Sequence, residues 1–147
     1  MVKRIGKLIL AFFMTVVVCL LFYCFFGGAL CNDLRALRLE KAYSSMELPE
    51  GVVRLETASF VGNTSGAGNL TEIWAGMLLD SELSAGELRL LFNGYEVWEV
   101  SEDGNGNYRC PEMYMEFSSL RGEYAGDRYF VVGSFYDAFT QMDLRGH

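Results

Sequence analysis

The longest apolar stretch of the chain lies near its start, and its pattern predicts a helix that crosses a membrane. Residues 8–30, LILAFFMTVVVCLLFYCFFGGAL, contain no charged side chain. An α-helix rises about 1.5 Å per residue, so a segment of this length spans a hydrocarbon core of about 30 Å with some tilt. A core helix of a small soluble domain would keep a polar face. We therefore predict a short N-terminal segment over 1–7 and a transmembrane helix over 8–30.

Two other interpretations of this segment stay open. A cleaved signal peptide would use the small residues Gly27, Gly28 and Ala29 at its cleavage site, although the apolar region of a signal peptide has only about 7–15 residues. A lipid-modified Cys31 would follow the lipoprotein-like sequence GALC, in which the bulky Leu30 replaces the small residue that such a signal needs. The transmembrane helix remains the prediction because of its length.

The basic residues around the helix predict its orientation. Three precede it and three follow it, and the first group is the more compact: Lys3, Arg4 and Lys7 against Arg35, Arg38 and Lys41. Positive residues favour the cytoplasmic side, which places the N-terminus in the cytoplasm. The predicted localisation is the cell membrane, with a single pass and the C-terminal domain outside.

Beyond the helix, the pattern predicts a juxtamembrane stem and one domain. The stem covers 31–48, and residues 32–46 continue it as a charged helix without glycine or proline. Pro49 and Gly51 end this helix, so the domain is expected over 49–147. Its length allows one hydrophobic core but not two.

Apolar runs within the domain predict five strands. They are expected at 52–60, 70–79, 95–100, 110–118 and 128–136. In the second strand one face is formed by Ile73, Ala75, Met77 and Leu79, with Glu72 and Trp74 opposite. The run 128–136 is almost wholly apolar, which predicts a central strand. The tail, residues 137–147, is a further candidate for an edge strand.

A short helix is predicted between the second and third strands. Ser84 and Glu87 have the spacing of a capping box, and Gly94 follows Asn93 where a left-handed C-terminal cap is expected. The predicted apolar face of this helix consists of Leu88, Leu91, Phe92 and Tyr95. The predicted fold class is therefore α+β: an N-terminal transmembrane helix, then an antiparallel sheet in the order β-β-α-β-β-β with one helix packed on it.

The charge of the domain narrows the choice of partners. After Lys41 the chain has six arginines, no lysine and 17 acidic residues. Such a domain is poorly suited to nucleic acid or anionic headgroups, because both are polyanions. The predicted contact with the membrane is made by residues 8–30, and another membrane or envelope protein is the expected partner.

The glycine-rich stretch FVGNTSGAGN, residues 60–69, is the first candidate for a binding loop. A phosphate-binding loop needs lysine and a hydroxyl residue after its last glycine, but Asn69 and Leu70 follow Gly68. Glycine and asparagine also suit the backbone of a tight turn, so we predict the loop of a hairpin. If this domain has a small-molecule site, the candidate residues are Asn63, Thr64, Ser65 and Asn69.

Other candidate chemistry fails on spacing or position. The run DGNGN, residues 103–107, starts like a calcium loop, but Tyr108 stands where that loop needs glycine. His147 is the only histidine and lies at the chain end, where a catalytic base would be poorly held. Glu112 and Glu116 would stand about 13 Å apart on one strand, too far for a glycosidase pair. No catalytic, cofactor-binding or metal-binding residue is predicted.

The cysteines and aromatic residues leave two alternatives open. Cys31 and Cys110 would pair outside the cell, or Cys110 would remain a buried free thiol.

The main aromatic residues of the domain are expected in the core. The alternative is that they form an exposed surface on which a ligand stacks. These residues are Trp74, Trp98, Tyr129, Phe130, Phe135 and Tyr136.

Three short motifs, VGNTSGAGN, SELSAGEL and MDLRGH, give the chain a resemblance to a group of proteins. It resembles small membrane-anchored proteins of Gram-positive bacteria that have no assigned activity. It departs from their pattern at Ala67 and Leu70, where a hydroxyl residue and a histidine are commoner. The resemblance implies the anchor and the topology of the domain, and it implies no reaction.

The sequence therefore favours a non-enzymatic envelope protein that binds a partner or acts as an accessory component. An extracytoplasmic hydrolase using carboxylates of the sheet is the alternative, and it would require several carboxylates with raised pKa values in one cleft. A structural subunit of a membrane complex is a third possibility, in which Gly27 and Gly28 would pack against another helix.

Overall fold

A computed structural model of the chain describes residues 2–63, 70–102, 108–109, 117, 128–139, 141 and 143. In this part of the chain a long N-terminal helical segment leads into a domain built on an open antiparallel sheet of four strands. The predicted α+β class is confirmed.

The helical segment runs without interruption from the N-terminus into the domain. Helix α1, Val2–Phe22, is followed by a π-helical turn, Tyr23–Gly27, and by helix α2, Gly28–Ser44. Within α1, Arg4–Phe22 is long and apolar enough to cross a membrane, a property that a signal sequence shares. None of this apolar window is buried against the rest of the chain.

Helix α2 covers most of the predicted stem, and it packs against the sheet. Its buried residues are Asn32, Ala36 and Tyr43, and they recur on one side of the helix. The stem residues therefore contribute to the core of the domain.

The main sheet has the strand order β1-β2-β6-β3, and every neighbouring pair is antiparallel. Its strands are β1 Val52–Gly62, β2 Glu72–Ser81, β3 Glu96–Glu99 and β6 Tyr129–Asp137. A separate two-stranded ladder joins β4, Ser101–Glu102, to β5, Tyr108–Arg109.

Two features of the predicted sheet are confirmed. Strands β1 and β2 form the first hairpin, from the pair Val52 and Ser81 to the pair Gly62 and Glu72. Strand β6 lies between β2 and β3, as expected for a nearly continuous apolar run.

For the strands other than the first hairpin and β6, the predicted order β-β-α-β-β-β stays a prediction. The strand expected at 110–118 lies outside the described residues except for Phe117, and so does the turn at 103–107. The ladder of β4 and β5 flanks that turn on both sides. The described tail residues after Asp137 belong to no strand.

Both faces of the sheet are buried, which explains why its central strands are so apolar. The face under α2 and under the next helix, α3 (Ala85–Leu91), holds one cluster: Tyr43, Val52, Ala75, Met77, Leu79, Leu88, Phe92, Val97, Phe130 and Val132. The opposite face holds a second: Trp74, Leu78, Trp98, Val100, Phe117, Tyr129 and Val131. Ala75, Met77 and Leu79 thus lie on one face and Trp74 on the other, as the alternation in β2 predicts.

Helix α3, Ala85–Leu91, begins at the predicted capping box. The Ser84 hydroxyl accepts a hydrogen bond from the Glu87 backbone N–H at 3.3 Å, and the Glu87 carboxylate accepts one from the Ser84 N–H at 2.8 Å. Leu88 and Phe92 are buried, but Leu91 is exposed, which corrects the predicted apolar face. The helix has only seven residues, and its contact with the core is made by Leu88 and the capping residue Phe92.

Two facing glycines make room for the largest side chain of the sheet. Gly76 and Gly133 are partners on β2 and β6, and the indole of Trp74 lies over them. A β-carbon on Gly76 would lie 2.6 Å from Cζ2 of Trp74, and one on Gly133 would lie 2.8 Å from the same atom. Only glycine allows the ring to lie this close to the strands.

Candidate functional site

The end of the sheet nearest α1 carries Asn63, the one described residue of the predicted loop site, and we call it the proximal end. Its position follows from two contacts between β1 and α2. The Arg54 guanidinium donates to the Ser44 carbonyl at 2.6 Å, and the Ser59 hydroxyl donates to the Glu40 carboxylate at 2.7 Å. Strand β1 therefore runs back along α2 towards α1. The proximal end is where β1 and β6 end and β2 begins, at Gly62, Asp137 and Glu72.

A buried hydrogen bond fastens the C-terminal segment to the start of α2 at this end. The Asn32 side-chain amide donates to the Asp143 carboxylate at 3.0 Å. Both side chains are fully buried. A buried carboxylate is costly unless donors surround it, so this contact stabilises the tail where it crosses α2.

A second contact ties the same segment to the beginning of β2. The Gln141 side chain accepts a hydrogen bond from the Thr71 N–H at 2.6 Å and donates one to the Thr71 carbonyl at 3.0 Å. The Gln141 amide thus satisfies the two backbone groups of Thr71 that a neighbouring strand would otherwise pair with, because it offers both a donor and an acceptor. The Thr71 hydroxyl is buried and has no hydrogen-bond partner in the described residues. We call Asn32, Thr71, Gln141 and Asp143 the proximal clasp.

The predicted loop residues fall partly within the described structure. Asn63 directly follows β1 at the proximal end and is partly buried. Thr64, Ser65 and Asn69 lie outside the described residues. The structure therefore shows that the two residues flanking the undescribed part of the loop, Asn63 and Leu70, lie at the same end of the sheet as the clasp.

Exposed apolar side chains surround the proximal end. Leu70 and Phe139 are 53% and 64% exposed, and they flank the segment that Thr71 and Gln141 hold together. Phe60 and Phe135 are 41% and 43% exposed, and they flank the buried Trp74 on the face opposite α2. These four residues form what we call the proximal rim.

The remaining aromatic residues are largely core, which answers the question left open by the sequence. Trp74, Trp98, Tyr129 and Phe130 are buried, and Phe117 packs edge-on against Trp74 with ring centroids 6.1 Å apart. The sheet is therefore no open stacking platform in its described part. Among the described strand residues, the exposed aromatic side chains are Phe60 and Phe135.

Among the described residues, two titratable side chains have displaced pKa values with structural causes. Burial raises the pKa of Tyr43, whose hydroxyl lies 3.1 Å from that of Tyr136. The Ser84 hydroxyl and backbone N–H lower the pKa of Glu87 by donating hydrogen bonds to its carboxylate. The first group belongs to the core and the second to a helix cap.

The acidic residues do not form a recognisable metal site in the described part of the chain. Glu72 and Asp137 are cross-strand partners at the proximal end, so two carboxylates face each other there. Across residues 2–63, 70–102 and the described positions beyond, no three or more His, Cys, Asp or Glu side chains gather as a metal site would require. Cys110, Glu112, Glu116 and His147 lie outside these residues, and Cys31 is a free, partly exposed thiol.

The clasp is the part of this site that sequence reasoning missed. Asn32 and Asp143 are 111 positions apart, and Thr71 and Gln141 are 70 apart. A weak signal exists at Asn32, since it is the first strongly polar side chain after the apolar segment. Nothing in the spacing identifies its partner.

Comparisons with protein-family models, with characterised proteins and with solved structures give no match for this chain.

Proposed function

We propose that this chain is a single-pass membrane protein whose acidic α+β domain lies outside the cytoplasm and acts by binding another membrane or envelope protein. In this proposal the domain is non-enzymatic and is an accessory component of a larger assembly. The resemblance to small membrane-anchored proteins of Gram-positive bacteria is part of the same proposal.

The observation that carries the anchor is the uncovered apolar surface of α1. No part of its apolar window is buried, although the domain has a closely packed core of its own. Leaving about 20 apolar residues in water is strongly unfavourable, whereas a bilayer core satisfies both their side chains and the helical backbone. The uninterrupted helix then continues as α2 into the domain.

The proposed orientation depends on the basic residues before the helix. Lys3, Arg4 and Lys7 precede the apolar segment and favour a cytoplasmic N-terminus. The acidic domain would then face the outside. Its charge favours a partner with a basic or neutral contact surface over any polyanion.

Protease treatment of intact cells tests the anchor and its orientation. An epitope after residue 147 should be removed by external protease, while an epitope before residue 1 should be protected until the membrane is opened. A variant with Leu10→Arg and Val17→Arg should lose membrane association, because charges at the centre of a span oppose insertion. A protected C-terminal epitope would show that the topology is inverted.

Crosslinking from the membrane tests the partner. Photoreactive residues at exposed positions of the domain should capture an identified envelope protein, and the same positions should capture nothing after that protein is deleted. A chain truncated after residue 45 keeps the anchor and serves as the control. Failure of every domain position to capture a protein would contradict the binding role.

A further inference from the structure

We infer that the proximal rim rests in the interfacial layer of the same bilayer that α1 crosses, so that the domain is seated end-on on the membrane. This inference depends on the proposed anchor. The occupant of the rim is the boundary between headgroups and acyl chains, and the residues that enter it are Leu70 and Phe139, with Phe60 and Phe135 behind them.

The first argument is the absence of a linker between the apolar segment and the domain. Asn32 is fully buried in the domain, and it lies only two positions beyond Leu30, the last residue of the apolar segment. Two helical residues correspond to about 3 Å along the helix axis. Because α2 is helical from Gly28 onward, the proximal end is held within a few ångströms of the end of the span.

The second argument is the direction of the sheet. Strand β1 is antiparallel to α2, so the sheet ends point back towards α1. The clasp then brings the tail to Asn32, at the start of α2. Leu70 and Phe139 flank the other clasp contact, that of Thr71 with Gln141, and therefore lie at the same level.

The third argument is that the exposed apolar surface is continuous from the span into the domain. Leu30, Leu34 and Leu37 are exposed and recur at helical spacing on α2. Asn32 and Ala36 lie between them in sequence and are buried, so the leucines occupy the side of α2 that the domain leaves uncovered. Aromatic and aliphatic side chains at this depth are typical of proteins that insert about 5–10 Å into the headgroup boundary.

The charged residues at the proximal end indicate whether its contact with the bilayer depends on anionic lipid. Arg35 and Arg38 lie one to two turns beyond Leu30, where they can reach lipid phosphates. Glu72 and Asp137 offset them at the end of the sheet. The seating is therefore driven by apolar burial, and it does not require anionic lipid.

The test uses the full chain reconstituted in phosphatidylcholine vesicles, with the photoreactive amino acid benzoylphenylalanine at one position at a time. Phe12 in α1 reports insertion of the span, Leu70 and Phe139 report the rim, and Leu90 on the outer side of α3 is the matched exposed control. Mass spectrometry identifies lipid adducts. We expect lipid adducts at Phe12, Leu70 and Phe139, and none above background at Leu90.

The possible outcomes distinguish contact of the rim with the bilayer from insertion of α1. Adducts at Phe12 without adducts at Leu70 and Phe139 would overturn the seating and leave the anchor intact. Protein adducts at Leu70 and Phe139 in place of lipid adducts would overturn it in favour of a protein on the rim. Adducts at Leu90 equal to those at the rim would mean that the domain lies on its side. Loss of adducts at Phe12 itself would remove the anchor and the seating together.

Discussion

The two ends of the main sheet are stabilised in different ways. At the distal end, where β2 ends and α3 begins, the side-chain hydrogen bonds are local: Ser84 pairs with Glu87, and Arg54 reaches the end of α2. At the proximal end the side-chain hydrogen bonds join Asn32 to Asp143 and Thr71 to Gln141, from distant parts of the chain. The two ends therefore differ in how far apart in sequence their side-chain partners lie, while the backbone pairing of β2 with β6 joins distant segments at both ends.

Both ends of the sheet expose apolar side chains. Leu70 and Phe139 are exposed around the proximal clasp, directly beside the end of the apolar segment, whereas Leu90 and Leu91 are exposed on α3 at the distal end. Leu88 and Phe92 of the α3 region are buried in the core. The proximal end therefore differs in where its exposed apolar side chains lie, next to the apolar helix, and not in having them.

The largest expected effect comes from disturbing the sheet that connects the two ends. Gly133→Ala should lower the free energy of unfolding by about 3 kcal/mol, because its β-carbon would lie 2.8 Å from both the Ala75 carbonyl oxygen and Trp74. Urea denaturation of the full chain in detergent, followed by the fluorescence of Trp74 and Trp98, measures this loss.

Two further variants serve as comparisons for that measurement. Gly86→Ala places a methyl group on α3 at an ordinary contact distance of 3.9 Å from the Ser84 hydroxyl and should stabilise the domain by up to about 1 kcal/mol. Combining Gly133→Ala with Trp74→Phe should cost less than the sum of the two, because they share one contact. Strict additivity would mean that the ring does not restrict this position.

A smaller effect is expected from opening the proximal clasp. Asn32→Ala should cost about 1–3 kcal/mol, since it removes a donor from the buried Asp143 carboxylate. Ser84→Ala removes the local cap of the distal end and should cost about 1 kcal/mol. Hydrogen exchange should increase at Thr71 in the first variant and in α3 in the second. Equal exchange changes at both ends in either variant would contradict the independence of the two ends.

The same division explains how much the sequence could predict. The capping box at Ser84 and Glu87, the left-handed backbone at Gly94 (φ of 91°) and the central position of β6 were predictable, because each depends on residues that lie close together or on one continuous run. The clasp was not predictable, because Asn32 and Gln141 carry no local pattern that identifies a distant partner. Leu91 was wrongly predicted on the buried face of α3, since helical spacing from Leu88 allows both the i+3 and the i+4 position and the core covers Phe92 instead.

The loop site shows a further limit of sequence reasoning. Glycine and asparagine predicted a hairpin loop between β1 and β2, and the pairing of Gly62 with Glu72 confirms the hairpin. The position of the hairpin end, Gly62 with Glu72, towards α1 depends on how α2 packs against β1, which no local pattern contains. The binding role of Asn63, Thr64, Ser65 and Asn69 stays a prediction.

A further test concerns Tyr43, which lies between the two ends on α2. Tyr43→Phe should cost about 0.5–1.5 kcal/mol at neutral pH, because it removes the hydroxyl that pairs with Tyr136. Burial raises the pKa of Tyr43 above its ordinary value of 10.0, so the stability linked to its protonated form is complete below pH 10 and is lost as pH rises further. Ser134, Tyr95 and Tyr136 are the polar neighbours of this hydroxyl.

Unfolding measured from pH 8 to pH 11 checks this linkage. The wild-type chain should lose stability more steeply above pH 10 than the Tyr43→Phe variant, and Tyr95→Phe should resemble the wild type. Parallel curves for the wild type and Tyr43→Phe would show that Tyr43 is not the group responsible.

The smallest expected effect belongs to the distal cap and appears only in acid. The Ser84 hydroxyl lowers the pKa of Glu87 below its ordinary value of 4.5, so the contribution of its carboxylate is present above that pH and is lost as pH falls further. Glu87→Gln keeps the capping geometry without the charge, and its urea midpoint should change less between pH 6 and pH 3 than that of the wild type. Glu82→Gln, an exposed acid just before the cap, is the matched control. If Glu82→Gln flattened the acid response as much as Glu87→Gln, the local cap would not be the source of the effect, and the distal end would lose its main distinction from the proximal one.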